Sequence, residues 1–224
     1  MSGIDDLKRA VIAYARKMAR DKLVTGTSGN ISCLDRENGL VIITPTSVDY
    51  DDLEPDQISV LDLDGNQKSG LPPSSETPMH LSIYHHRPGT HAIVHTHSLY
   101  ATTFAVLGEP IPPIHYMVTA LGGEEIPITR SYELYGTDRL AQAAVAAMGD
   151  HCNVVLLRNH GAVAVGKNLA EAYKNAVILE EMAQLYFNSK LAGRPVVLTR
   201  DQVVEVMTVM KAAAYGQSRE ETFG

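Results

Sequence analysis

Short apolar runs come in pairs joined by tight turns, with helical stretches between the pairs, and this spacing constrains the fold most. Ile31 to Leu34, Leu40 to Thr44 and Ile58 to Leu63 read as strands. Asp64, Gly65 and Asn66 form a hairpin signal after the third run. His91 to Thr96 alternates like a strand. Asn153 to Leu157 and Ala162 to Val165 flank a turn from Arg158 to Gly161. Between them lie helical segments. Leu7, Val11, Tyr14 and Met18 share one helical face. Thr77 to His86 starts with Pro78 at the first helical position and stops at Arg87, Pro88 and Gly89. Ser98 is expected to cap a helix through Val106. Asp138 to Met148, Leu169 to Leu191 and Asp201 to Tyr215 complete the set. Steady strand–helix alternation is missing, so a doubly wound parallel sheet does not fit. The pattern predicts an α/β chain with a central, mainly antiparallel sheet covered by helices. No repeat, low-complexity tract or linker divides it, so residues 1–224 are expected to form one domain.

Composition narrows the function. The net charge of −7 disfavours a nucleic-acid partner, which needs clustered cations. It does not oppose a pocket for one small phosphate. Only Cys33 and Cys152 are present, against nine His, which excludes a disulfide scaffold and a thiolate zinc finger. Metal chemistry would have to rest on His and carboxylates. The N-terminus carries Asp5 and Asp6 and no apolar signal core, and no run approaches the ~18 apolar residues of a membrane span. A cytoplasmic protein with no membrane partner is expected.

The strongest local signal is His95-Thr96-His97. On a strand, side chains two apart share a face, so both imidazoles can reach one ion. His160 sits beside Gly161 in a turn between two apolar strands. Glu76 stands just before a helix, where it could be a ligand or simply complement the helix dipole. His80 could meet Glu76 on one helix face, and His91 shares a strand face with His95. Spacing alone leaves these choices open.

Two further segments suit an oxyanion. Thr27, Ser28, Gly29 and Asn30 offer a hydroxyl-rich, glycine-loosened turn. Ser74 and Ser75 stand at a helix N-terminus, where unpaired N–H groups favour anions. Thr44 to Ser47 ends a strand and can form a third wall. No phosphate-loop lysine motif or dinucleotide fingerprint is present.

Taken in order, Gly26 to Asn30, Thr44 to Ser47, Ser74 to Glu76, His95 to His97, Ile114 to Met117 and Asn159 to Gly161 resemble the class II aldolase/adducin-head family. The resemblance runs from the first helix to about Tyr215. It implies an αβα three-layer fold and a homotetramer with active sites between subunits. It implies His95, His97 and His160 as zinc ligands, with Mn2+ or Co2+ as possible substitutes. Glu76 would be a fourth ligand in the resting site that moves off to act as base. Thr27, Gly29, Asn30, Thr46, Ser47, Ser74 and Ser75 would hold the substrate phosphate. Tyr116 would donate a proton from the adjacent subunit, and Tyr215 would be a second catalytic tyrosine.

The implied reaction is reversible cleavage of a ketose 1-phosphate, L-fuculose 1-phosphate or a related deoxy-ketose 1-phosphate, to dihydroxyacetone phosphate and a short aldehyde. Ser47 stands where such relatives often have Gly, and Tyr135 and Ala212 stand where an aldehyde-side Phe is usual. A 5-deoxy- or 5-methylthio-pentulose 1-phosphate is therefore an alternative substrate. A sugar-phosphate epimerase or dehydratase is a second alternative, although that branch carries an acid near the position of Tyr116. A non-catalytic adducin-like interaction domain is a third, expected to have lost the metal ligands.

Overall fold

The structure, a computed structural model, describes residues 3–212. The order is α1 (Ile4–Arg20), β1 (Asn30–Asp35), β2 (Leu40–Ile43), β3 (Ser59–Asp62), β4 (Gln67–Ser69), α2 (Thr77–His86), β5 (Ala92–Thr96), α3 (Leu99–Leu107), α4 (Asp138–Met148), β6 (Val154–Leu157), β7 (Gly161–Gly166), α5 (Leu169–Ala192) and α6 (Arg200–Ala212). The seven strands form one sheet in the order β4-β3-β2-β1-β5-β7-β6. Each neighbouring pair is antiparallel. Tyr215 lies outside the described residues.

Strand alternation builds the layers. Val41, Ile43, Ile93, Val155, Leu157 and Val163 point to one face and pack on Met79, Ile83 and Tyr84 of α2 and Leu140, Ala144 and Met148 of α4. Ile31, Ile42, Val94, Val154, Leu156 and Ala164 point to the other. There they meet Val11, Ala15 and Met18 of α1, Phe104 of α3 and Ala172, Leu179 and Met182 of α5. The period of two along each strand thus feeds two cores, and a three-layer α/β fold results. Among the described residues no helix is long and apolar enough to cross a membrane.

The expected Ser98 cap does not form. Ser98 occupies the N-cap of α3, but its hydroxyl makes no capping bond. Glu180 of α5 takes that place: its carboxylate accepts from the Tyr100 and Ala101 N–H groups, both at 2.8 Å. A carboxylate at a helix N-terminus also complements the helix dipole. This contact ties the start of α3, immediately after His97, to α5.

A second anchor holds the turn before β1. The Arg16 guanidinium donates to the carbonyls of Tyr50, Asp51 and Leu53 at 3.0–3.1 Å. The buried Tyr50 hydroxyl then donates to the carbonyls of Gly29 at 2.7 Å and Ser28 at 3.1 Å. Tyr50→Phe keeps the ring and removes these bonds. We expect it to cost about 1 kcal/mol in urea unfolding; an unchanged midpoint would show that the turn holds itself.

Candidate active site

Antiparallel pairing gathers the sequence motifs at one end of the sheet. β5 runs between β1 and β7, with Asn30 opposite His95, and with Val163 and Ala162 opposite His95 and Thr96. The start of β1, the end of β5 and the start of β7 therefore coincide. β2 ends at the same edge, since Ile43 pairs with Ser32. The α2 approach is stitched on by the Ser74 N–H to the Thr44 carbonyl at 3.1 Å and the Thr46 N–H to the Pro72 carbonyl at 3.0 Å. Together these segments line a cavity of about 460 Å3.

At its base stand three imidazoles. Candidate ligand atoms of His95, His97 and His160 lie within 4.8 Å of one another. Their rings meet edge-on, with centroids 4.8–5.1 Å apart. The Nε2 atoms of His95 and His97 are 3.0 Å apart, close to the ~3.3 Å edge of a tetrahedron of nitrogens about 2.0–2.1 Å from one ion. The His95 Nδ1–H donates to the Ala162 carbonyl at 2.9 Å, which leaves Nε2 with its lone pair. Burial lowers the pKa of all three; neighbouring imidazoles add to the effect at His95 and His160, and His160 reaches about 4. Near pH 7 they are neutral, the form a metal requires.

The backbone is shaped to this cluster. A Cβ on Gly161 would sit 2.4 Å from the Thr96 carbonyl and 2.8 Å from His97 Cδ2. Gly29, at φ +73°, passes so close to β5 that a Cβ would lie 2.7 Å from the His95 carbonyl. Among the described residues, His160 Nδ1 and Glu76 Oε2 are buried without a hydrogen-bond partner. Orphaned polar atoms beside three neutral imidazoles suit a bound divalent cation.

Glu76 lines the cavity but stands outside the three-imidazole cluster. It occupies the N-cap of α2 without a side-chain capping bond. Its Oε1 accepts from the Gly136 N–H at 3.1 Å. Burial pushes its carboxyl up to about 7, partly offset by that bond. His80 takes no part in the cluster: its Nε2 meets Asn30 Oδ1 at 2.6 Å and its Nδ1 meets Ser32 Oγ at 2.7 Å.

Residues 9–187 match the profile described as the Class II Aldolase and Adducin N-terminal domain. The chain belongs to this family. It is similar to 5-deoxy-D-ribulose 1-phosphate aldolase of Bacillus thuringiensis serovar kurstaki, 39% identical over 94% of this chain and 97% of that one. It is also similar to L-fuculose phosphate aldolase of Escherichia coli O6:H1, 35% identical over 96% of this chain and 98% of that one. A solved structure of an L-fuculose 1-phosphate aldolase superposes with a TM-score of 0.89 at 38% identity, covering 94% and 98% of the two chains.

Within this class II aldolase fold, Thr27, Gly29, Asn30, Thr46, Ser47, Ser74 and Ser75 all line the same cavity as the imidazoles and Glu76. Ser47 has φ +59°, the left-handed region that favours glycine, so its side chain is tolerated at some cost. Tyr135 lines the cavity as expected, but Ala212, in α6, does not. Tyr132 and Asn159 also line it and escaped sequence reasoning. Asn159, at φ +54° beside His160, left only the weak signal of a residue type that tolerates such turns. Tyr116 does not line the cavity of its own chain and is 46% exposed, in the short helical turn Tyr116–Leu121.

Glu76 and the imidazoles oppose each other in pH. A carboxyl whose folded pKa lies above its unfolded value stabilises the fold at low pH and loses that contribution as pH rises through about 7. Imidazoles held neutral by burial act in the reverse sense, stabilising less as pH falls below the usual histidine range. In metal-free protein, Glu76→Gln should therefore gain on the wild type between pH 4.5 and about 7, by up to about 3 kcal/mol. Denaturant unfolding across that range measures the difference; a difference independent of pH would exclude Glu76 as its source.

Proposed function

We propose that this class II aldolase cleaves a ketose 1-phosphate reversibly to dihydroxyacetone phosphate and a short aldehyde, using a divalent metal. The observation that carries this reading is the single cavity that joins three neutral imidazoles to a hydroxyl- and N–H-rich wall. The relatives named as deoxy-ketose and fuculose phosphate aldolases support it. L-Fuculose 1-phosphate and 5-deoxy- or 5-methylthio-pentulose 1-phosphates are the substrate candidates. The donor set is all imidazole, with a carboxylate near, which favours Zn2+, with Mn2+ or Co2+ as substitutes.

His95, His97 and His160 would hold the ion, which supplies Lewis-acid stabilisation of negative charge developing on the ketose oxygens. Thr27, Gly29, Asn30, Thr46, Ser47, Ser74 and Ser75 bind the phosphate, a remote handle that orients the reacting carbons. The positive end of the α2 dipole adds its attraction for the anion. Glu76 moves the carbon-bound proton. A carboxyl raised to about 7 is matched to that task, and the Gly136 N–H holds one oxygen and leaves Oε2 for the proton. Oε2, without a bond among the described residues, is also the atom with which Glu76 would serve as a fourth ligand in the resting site.

Tyr116 protonates the aldehyde oxygen in the site of a neighbouring copy. Its exposure and its place off its own cavity support that reading, as do the exposed apolar side chains of Leu99, Leu107 and Leu191. The assembly is a homotetramer with sites between subunits, each chain one domain. Tyr215 is a second catalytic tyrosine. Two free cysteines suit the reducing cytoplasm. The intact set of His95, His97, His160 and Glu76 disfavours an adducin-like interaction domain, and Tyr116 disfavours an epimerase or dehydratase.

Purified enzyme offered each candidate ketose 1-phosphate should release dihydroxyacetone phosphate in a coupled assay. Conversion without that product would establish the epimerase or dehydratase reading instead. His97→Ala should lose bound metal and about 10^3-fold of turnover together; full turnover without metal would remove the imidazoles from the mechanism. Tyr116→Phe should lower kcat about 10^2-fold while phosphate inhibition is unchanged. Unchanged kcat would dismiss it as the proton donor.

A further inference from the structure

A chain of buried polar groups runs behind the cavity wall. Tyr84 and His80 of α2 and Ser32 of β1 are fully buried. The Tyr84 hydroxyl lies 2.7 Å from Ser32 Oγ, Ser32 Oγ lies 2.7 Å from His80 Nδ1, and His80 Nε2 lies 2.6 Å from Asn30 Oδ1. Asn30 lines the cavity and ends the chain.

The blind end sets the direction of every bond. Among the described residues the Tyr84 hydroxyl has Ser32 as its partner and no other. Its proton must therefore go to Ser32 Oγ. The reverse arrangement would bury that proton without an acceptor, at about 1–3 kcal/mol. Ser32 then has one remaining neighbour for its own proton, His80 Nδ1. A ring whose Nδ1 accepts carries its hydrogen on Nε2. That hydrogen points at Asn30, so the amide oxygen must face inward. Both N–H groups of the Asn30 carboxamide are left for the cavity, where they have no acceptor among the described residues.

We propose that Tyr84, Ser32 and His80 are positioning residues that lock the Asn30 carboxamide with its donors toward the cavity. At Asn30 the wall beside the imidazoles then offers donors only, which favours an oxyanion, such as a phosphate monoester, over a ligand that needs an acceptor at that point. This rests on the phosphate site proposed above. With the phenol gone, no donor holds the Ser32 oxygen as an acceptor, so Ser32 can accept from His80 Nδ1 as well as donate to it, His80 can take either tautomer, and Asn30 can flip its oxygen into the anion's place.

Inorganic phosphate is the probe, titrated into the full-length, metal-loaded protein. Tyr84→Phe should weaken its binding about 3- to 10-fold and raise the KM for a cleaved ketose 1-phosphate by a similar factor with kcat little changed. Ser32→Ala should do the same. In an Asn30→Ala background, Tyr84→Phe should cause no further loss, because its effect passes through Asn30. Nitrogen NMR of the wild type should place the His80 hydrogen on Nε2. A hydrogen on Nδ1, wild-type phosphate affinity in both variants, or an additive loss in the double variant would overturn the proposal. Wild-type protein that binds no phosphate would overturn the phosphate site as well, whereas failure of the variants alone would leave that site standing.

Discussion

The site depends on where β5 lies in the antiparallel ladder. Its neighbours on both sides run against it, so its C-terminal end meets the N-terminal ends of β1 and β7. Three stretches far apart in the chain, around residues 27–30, 95–97 and 159–161, are brought to one edge by backbone hydrogen bonds alone. In a parallel arrangement the same strands would have sent the glycine-rich turn and the His-x-His pair to opposite ends. Gly29 and Gly161 are the price of that closeness, since a Cβ on either would strike the backbone of β5.

Low dielectric then gives the cavity its chemistry. The imidazoles are held neutral and the Glu76 carboxyl is held near neutrality, both because burial penalises charge. The metal candidates and the proposed proton carrier are prepared by one physical effect acting with opposite sign on bases and acids. The proposed anion wall contains no lysine among the described residues. In the proposed site, hydroxyls and the Asn30 carboxamide would hold one phosphate, so the acidic net charge of the chain is no obstacle.

Much of this was legible in the sequence. Apolar alternation and turn residues located six of the seven strands and the boundaries of α2 and α4. β4, with its exposed Gln67, Lys68 and Ser69, carries no apolar pattern and was visible only as the far side of a hairpin signal. The α3 cap was misplaced because Ser98 has the right residue type, while the group that caps the helix is Glu180, far along the chain in α5. The candidate metal and phosphate residues and Glu76 line one cavity, Tyr116 does not, and Tyr132 and Asn159 came into view only with the loops folded.

The sequence by itself determined local matters: which runs alternate, where turns break them, and which side chains can ligate an ion or donate to an anion. Those follow from near neighbours along the chain and from residue chemistry. Only the tertiary structure decided among the histidines. His80, His91, His95, His97 and His160 were equivalent as residue types. Strand register joined three of them at one point, while α2 packing turned His80 toward Ser32 and Asn30. Distance through space, hydrogen-bond direction and burial are properties of contacts between remote segments, and no local spacing encodes them.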